Sequence, residues 1–173
     1  MNATLAAWNE APPSSAIEAM LACCGSKRWA AAMVALRPVA SVEALSEAAD
    51  RVWSTMREPD WLEAFACHPR IGERKPVLTA AHAPETSAAW SRQEQSSAGA
   101  ANELILAELA EDNQLYEQRF GFTYIVCATG KSAVEMLTIL KRRLASNREA
   151  ELREAAEQQR QIMQIRLGKW LVE

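Results

Sequence analysis

Histidine, cysteine and glycine are scarce in this 173-residue chain, and each scarcity narrows what the protein can be. Two histidines and four cysteines (Cys23, Cys24, Cys67 and Cys127) show neither zinc-like nor redox spacing, so no metal site and no disulfide framework is expected. Six glycines and seven prolines are too few for a low-complexity chain or a turn-dense β-sandwich. No apolar run approaches the ~20 residues that a membrane-spanning helix requires. The start, Met1-Asn2-Ala3-Thr4, lacks the basic residues and apolar stretch of a secretory signal, and the end, Trp170-Leu171-Val172-Glu173, is no peroxisomal address. A reduced, cytoplasmic setting is therefore expected. A large charge excess is missing too: 19 Lys and Arg against 22 Asp and Glu leave a net charge of −3. That gives no general field for nucleic acid, so any anion must be met by local arginines.

What the chain does contain is helix formers. Alanine, leucine, glutamate and arginine dominate, and 49% apolar residues suffice for one domain with its own core. Residues 1–13 read as a lead-in segment anchored by Trp8 and closed by Pro12-Pro13. Ser14 or Ser15 caps a helix ending at Gly25, Ser26 caps a second to Leu36, and Ser41 a third. In that third helix Leu45, Ala48, Ala49, Val52, Trp53 and Met56 share one face. Pro59 suits the first turn of a fourth, which carries Trp61, Leu62 and Phe65 towards His68. From Arg70 to Pro84 no period is visible, and a loop of that length is commonly functional. Thr86 or Ser87 opens a helix through Gln95. A further one is predicted from about Ala101 to Gln118, with Leu104, Leu109 and Leu115 inward, broken by Phe120-Gly121-Phe122. Thr123 to Ala128 is the only strand-like run; without a partner run it is expected to be a buried extended connector. Ser132 starts a helix with Val134, Leu137, Leu140 and Leu144 on its inner face, and the last spans roughly Arg148 to Trp170. The expectation is an all-α, single-domain bundle of about eight helices over residues 1–173, with a long functional loop.

Three groups of polar residues stand out. In Cys67-His68-Pro69-Arg70-Ile71-Gly72-Glu73, the proline disfavours helix at His68, and Gly72 permits a sharp redirection. A histidine held at a helix end beside charges suits proton chemistry; it equally suits the dipole of a helix C-terminus with no chemistry at all. Ser91, Glu94 and Gln95 stand at i, i+3 and i+4, flanked by Ala88 and Ala98, as the floor of a polar pocket or as a solvated face. Arg166 falls within the apolar stripe of Leu152, Ala155, Ala156, Ile162, Met163, Leu167 and Trp170, close to Gln159. An arginine there pairs with a core carboxylate or grips a ligand's carboxylate with its two-pronged head.

Taken together, His68-Pro69-Arg70-Ile71-Gly72-Glu73, Ser91-Arg92-Gln93-Glu94-Gln95, Phe122-Thr123-Tyr124-Ile125-Val126-Cys127-Ala128 and Arg166-Leu167 resemble the OHCU decarboxylase family. OHCU is 2-oxo-4-hydroxy-4-carboxy-5-ureidoimidazoline, the last unstable intermediate between urate and (S)-allantoin. The resemblance runs from about Asn9 to Leu171. It implies an all-helical carboxy-lyase of urate breakdown that needs no cofactor, acts on a small ureido-imidazoline and forms homodimers. By the same resemblance His68 is the catalytic acid/base, and Glu94, also catalytic, completes the pocket with Arg166. Pro69, Ser91, Arg92, Gln93, Glu94, Gln95, Tyr124, Ile125, Val126, Cys127 and Ala128 are implied as substrate contacts.

Two competing readings lead elsewhere. A Cys-His hydrolase would use Cys67 or Cys127 with His68, although adjacent side chains rarely point at each other. A helical interaction domain would carry Ser91, Glu94 and Arg166 on an exposed face.

Overall fold

Three serines start three helices. Ser26, Ser41 and Ser132 each accept, on the hydroxyl oxygen, a first-turn backbone N–H: that of Trp29 at 3.3 Å, Ala44 at 3.1 Å and Glu135 at 3.2 Å. These are donors that the helix itself cannot satisfy. At Ser132 the Glu135 carboxylate also accepts the Ser132 N–H at 2.7 Å, completing a capping box.

The computed structural model describes residues 2–71, 85–94 and 103–173. Of the loop expected over Arg70 to Pro84, only Arg70 and Ile71 are described; the rest, with Gln95 and Ala98, lies outside the described residues. Within them the chain is all-α, as expected, with no strand. The helices are α1 (Ala3–Glu10), α2 (Pro13–Cys23), α3 (Lys27–Ala35), α4 (Val42–Trp53), α5 (Glu58–Ala66), α6 (Glu85–Glu94), α7 (Glu103–Phe120), α8 (Ala133–Leu144) and α9 (Arg148–Trp170).

The ninth helix is the supposed lead-in segment. Asn2 accepts the Leu5 N–H at 3.0 Å on its side-chain oxygen, and that cap allows a helix to start almost at once. Pro13 then occupies the first turn of α2, so neither Ser14 nor Ser15 is its cap. Among the described residues no helix is long and apolar enough to cross a membrane.

The chain divides into two compact units, residues 2–64 with 160–173, and residues 65–159. In the first, Leu5, Met20, Trp29, Met33 and Leu45 are fully buried. Its indoles remain hydrogen-bonded: Trp8 donates to the Ala16 carbonyl at 3.0 Å and Trp29 to that of Ala49 at 3.2 Å. Arg37 donates to the carbonyls of Trp8 and Ala11 at 2.6 and 2.8 Å, where the end of α1 leaves partial negative charge. Near the C-terminus, Arg160 and Gln164 both donate to Asp50, at 3.0 and 2.8 Å.

The second unit is built on a cluster of aromatic rings. Gly121, with φ of 81°, stops α7 in the left-handed region, and its N–H bonds the Glu117 carbonyl at 2.8 Å. That turn lets Phe120 and Phe122 both enter the core. Tyr116 packs on Phe120, Phe122 and Tyr124 at ring separations of 4.7, 5.7 and 5.3 Å, and Phe65 on Phe122 at 5.6 Å. The last turn of α5, just before His68, is thereby fixed to the start of the connector. Thr123 to Ala128 is neither helix nor strand, pairs with no strand among the described residues, and is buried from Tyr124 onward. The expectation of a buried, unpaired connector holds.

The inner faces of α7 and α8 differ from the expectation. Leu109 is buried, but Leu104 and Leu115 are 74% and 53% exposed, and Val134 is 55% exposed. The buried faces run Leu109, Asn113, Tyr116 and Phe120 on α7, and Ala133, Met136, Leu137, Leu140 and Arg143 on α8. Polar residues hold two of these inner positions because each finds partners there. Asn113 donates to the carbonyls of Ile71 and Leu109 at 3.2 and 2.8 Å, and Arg143 belongs to a buried ion pair. The pairs Glu108 with Lys141, Tyr116 with Arg143 and Arg119 with Ser146 ascend together. So α7 and α8 run in the same direction, and the connector carries the chain back between them.

Candidate active site

Helix α5 ends where Pro69 requires it to end. The His68 N–H closes the last turn on the Phe65 carbonyl at 3.1 Å, and the imidazole emerges half-buried. The next two residues are tied to α7. Arg70 grips the Glu117 carboxylate with two nitrogens at 2.6 and 2.5 Å, and the Ile71 carbonyl accepts from Asn113. The ring itself is met by α9: the Gln159 side-chain oxygen lies 2.7 Å from His68 Nε2. Backbone and ring are thus held from two different helices.

The connector is secured by side chains in place of a ladder. Cys127 N–H donates to the Gln158 side-chain oxygen at 2.8 Å, the Cys127 carbonyl accepts from Lys131 Nζ at 2.8 Å, and the Ile125 carbonyl accepts from Arg143 at 2.5 Å. Tyr124 turns its hydroxyl to the Met136 carbonyl at 3.1 Å. Neighbouring glutamines of α9 therefore hold the two elements: Gln158 the connector, Gln159 the histidine. Of the candidate site residues, His68 and Cys127 are thus tied to adjacent positions of one helix.

Beneath the connector lies a charged pair that is almost fully buried. Arg143 Nε meets Glu151 at 2.8 Å, the Tyr116 hydroxyl donates to the same carboxylate at 2.7 Å, and Arg143 donates to the Tyr116 oxygen at 3.2 Å. The guanidinium also stands 5.0 Å over the Tyr124 ring. Burial pushes the Tyr116 and Tyr124 hydroxyls well above the usual phenol range, against the pull of Arg143, so both stay neutral. Burial alone would weaken the Arg143 charge, but Tyr116 and Glu151 outweigh it and hold the group protonated.

On α6 the buried residues are Ser87, Trp90 and Ser91. Ser91 is thus not on a solvated face, while Arg92 and Gln93 are exposed and Glu94 is half-buried. Arg166, in the other unit, is 2% exposed, so it is not part of an exposed binding stripe. The Cys23 thiol is pushed far up by burial and further by Cys24, against the Arg166 charge, and a thiol held protonated is no nucleophile.

Among the described residues no group of three His, Cys, Asp or Glu could hold a metal ion. A pocket of about 470 Å³ lined by Leu115, Gln118, Arg119 and Leu144 contains none of the candidate site residues.

Sequence reading singled out neither Gln158 nor the Arg143–Glu151 pair, and Gln159 figured only as a neighbour of Arg166. A signal for Arg143 was present, since it continues the face of Met136 and Leu140. Gln159 carries a further oddity. It is fully buried, yet its Nε2 has no hydrogen-bond partner among the described residues. Such an omission costs ~1–3 kcal/mol.

The chain matches the OHCU decarboxylase family over residues 9–168. It is 38% identical over 151 residues to the uric acid degradation bifunctional protein TTL of Arabidopsis thaliana, covering 85% of this chain and 44% of that protein. It is 25% identical over 133 residues to a 2-oxo-4-hydroxy-4-carboxy-5-ureidoimidazoline decarboxylase of Haloferax volcanii, covering 77% and 74%. The fold superposes with a TM-score of 0.76, at 32% identity, on a crystal structure of OHCU decarboxylase in the presence of (S)-allantoin, covering 90% of this chain and 99% of that one. This chain spans less than half the length of the Arabidopsis protein. With sequence and fold in agreement over nearly its whole length, the chain belongs to the OHCU decarboxylase family.

Proposed function

We propose that the chain catalyses the decarboxylation of 2-oxo-4-hydroxy-4-carboxy-5-ureidoimidazoline to (S)-allantoin and CO2 in urate degradation, with His68 as acid/base. Beside the family membership, the observation that carries this is the joint anchoring of His68 and the connector by Gln159 and Gln158 of α9. It ties the imidazole and the buried connector to adjacent residues of one helix.

The chemistry asks little of a protein in the way of electron storage. When the C–C bond to the carboxylate breaks, its electron pair forms a double bond to the adjoining ring carbon. The ring's own C=N bond then receives the displaced pair on nitrogen, which takes a proton from solvent. The substrate is its own electron sink, so no cofactor is needed for this step. The hydroxyl then loses its proton to become a carbonyl, and the adjoining carbon gains one. His68 takes the first of these protons and delivers the second from a single side, and one-sided delivery makes one enantiomer.

Arg166 clamps the carboxylate or a carbonyl edge, Glu94 and Gln95 fix the ureido group or the hydroxyl, and Ser91, Arg92 and Gln93 complete that segment's contacts. Pro69 and Tyr124 to Ala128 bound the ring. The substrate is a small molecule, the working form a homodimer, and the setting cytoplasmic. Light scattering giving a monomer mass at working concentration would contradict the homodimer.

To test the activity, the intermediate is generated in situ from urate and CO2 release is timed with and without the chain. Acceleration supports the proposal, and a rate equal to the spontaneous one overturns it. Arg166→Lys keeps the charge but loses the two-pronged geometry, so KM should rise about tenfold while kcat changes less. Kinetics at saturating and limiting substrate separate the two, and an unchanged KM would remove Arg166 from substrate binding.

A further inference from the structure

Among the described residues only the oxygen end of the Gln159 amide has a hydrogen-bond partner. Its oxygen lies 2.7 Å from His68 Nε2, whereas its fully buried nitrogen meets no acceptor among the described residues. The neighbouring Gln158 shows what a purely structural glutamine does in the same helix. Its oxygen accepts from Cys127 at 2.8 Å and its nitrogen donates to Glu154 at 3.1 Å, so both ends are satisfied. Buried polar groups are rarely left unpaired, and one stranded beside a reactive group calls for an explanation by function.

The two ends of the Gln159 amide have different consequences. An amide oxygen can only accept, so the imidazole Nε2 carries a hydrogen and the neutral ring keeps its lone pair on Nδ1. The same oxygen steadies the ring when it becomes charged. The nitrogen has two hydrogens to offer, and none of the described residues accepts them.

We propose that Gln159 is a positioning and substrate-binding residue, which fixes the His68 tautomer through its oxygen and donates its amide N–H to a carbonyl or carboxylate oxygen of the substrate. The inference rests on the decarboxylase reading and deepens it. One side chain aligns the acid/base with the molecule it acts on, so binding registers the proton transfer. An approaching ligand lacking an oxygen at that point would leave the nitrogen stranded, which makes Gln159 a determinant of specificity as well.

The test compares Gln159→Leu and Gln159→Glu with the parent chain. Gln159→Leu removes both functions at similar volume. It should raise KM about tenfold and lower kcat about tenfold, without lowering Tm, because a stranded polar group is removed. A purely structural glutamine predicts the reverse, a lower Tm with unchanged kinetics. Gln159→Glu keeps an acceptor for the imidazole but has no hydrogen to donate. KM should rise as before, and the added charge should move the histidine limb of the pH–rate profile upward by about one pH unit.

Nitrogen NMR of the imidazole gives a readout independent of turnover. Nε2–H should prevail in the parent chain and in Gln159→Glu, and that bias should vanish in Gln159→Leu. Kinetic constants and tautomer unchanged in both variants overturn the inference, while a fully active parent chain and an inactive His68→Asn leave the decarboxylase reading standing. A parent chain that does not accelerate CO2 release takes both down together.

Discussion

Replacing His68 with asparagine is expected to lower kcat by ~10²–10⁴-fold, the range a positioned acid or base contributes. Folding should survive the change, and the reason is local. The chain around His68 is held by groups other than its ring: Phe65 against Phe122, the double contact of Arg70 with Glu117, and the Ile71 carbonyl bonded to Asn113. The imidazole makes its bond to Gln159 from a half-buried position. Asparagine retains a polar side chain near that amide but cannot exchange a proton near neutral pH. Steady-state kinetics with a thermal melt decide the matter. A kcat within a few fold of the parent would end the acid/base assignment, and a collapsed Tm would return His68 to a structural role.

The second large effect concerns stability. Glu151→Leu removes the carboxylate that Arg143 and Tyr116 share and leaves a guanidinium only 3% exposed without its counter-charge. Breaking a buried pair from one side costs ~3–5 kcal/mol. For a chain of this size the melting temperature should then fall by about 10 °C or more. Removing both charges should hurt less than removing one: Arg143→Met combined with Glu151→Leu is expected to recover most of the loss in a double-mutant cycle. Activity should not return with stability, since Arg143 also holds the Ile125 carbonyl of the connector. Calorimetry on the four proteins of the cycle provides the check. Additive effects of the two substitutions would show that the pair does not act as a unit.

Those two sites also mark the line between what was legible in the sequence and what was not. Local signals read well. Serine caps at Ser26, Ser41 and Ser132 were visible because a cap needs only its own first turn. The helix stop at His68-Pro69 and the unpaired connector were visible for similar reasons: proline restricts its own neighbour, and a lone strand-like run has nothing to pair with. Helix α1 departs from the expected lead-in segment, although its Asn2 cap is just as local.

Facing was harder. Leucine spacing placed Leu104, Leu115 and Val134 inward, yet α7 and α8 turn Asn113 and Arg143 inside. A polar residue can be internal only when a distant partner is waiting, and Ile71 and Glu151 are 42 and 8 residues away. Helical periodicity carries no information about such partners. The same holds for Gln158 and Gln159. Their neighbours in sequence look solvated, and only the approach of the connector and of His68 to α9 gives the two amides their tasks.

Within the candidate site, the motif segments indicated which stretches matter, while burial separates their members. Ser91 is enclosed, whereas Arg92 and Gln93 are exposed. The resemblance spoke for the whole segment; the helix surface distinguishes its residues.

The handedness of the product gives the most direct test of proton delivery by His68. The intermediate is made in situ from urate, and the optical activity of the allantoin formed is followed with the parent chain and with His68→Asn. The expected result is rapid formation of (S)-allantoin with the parent chain, and slow, racemic product with the variant. Racemic allantoin from the parent chain, or the same enantiomer at the same rate from His68→Asn, would contradict it.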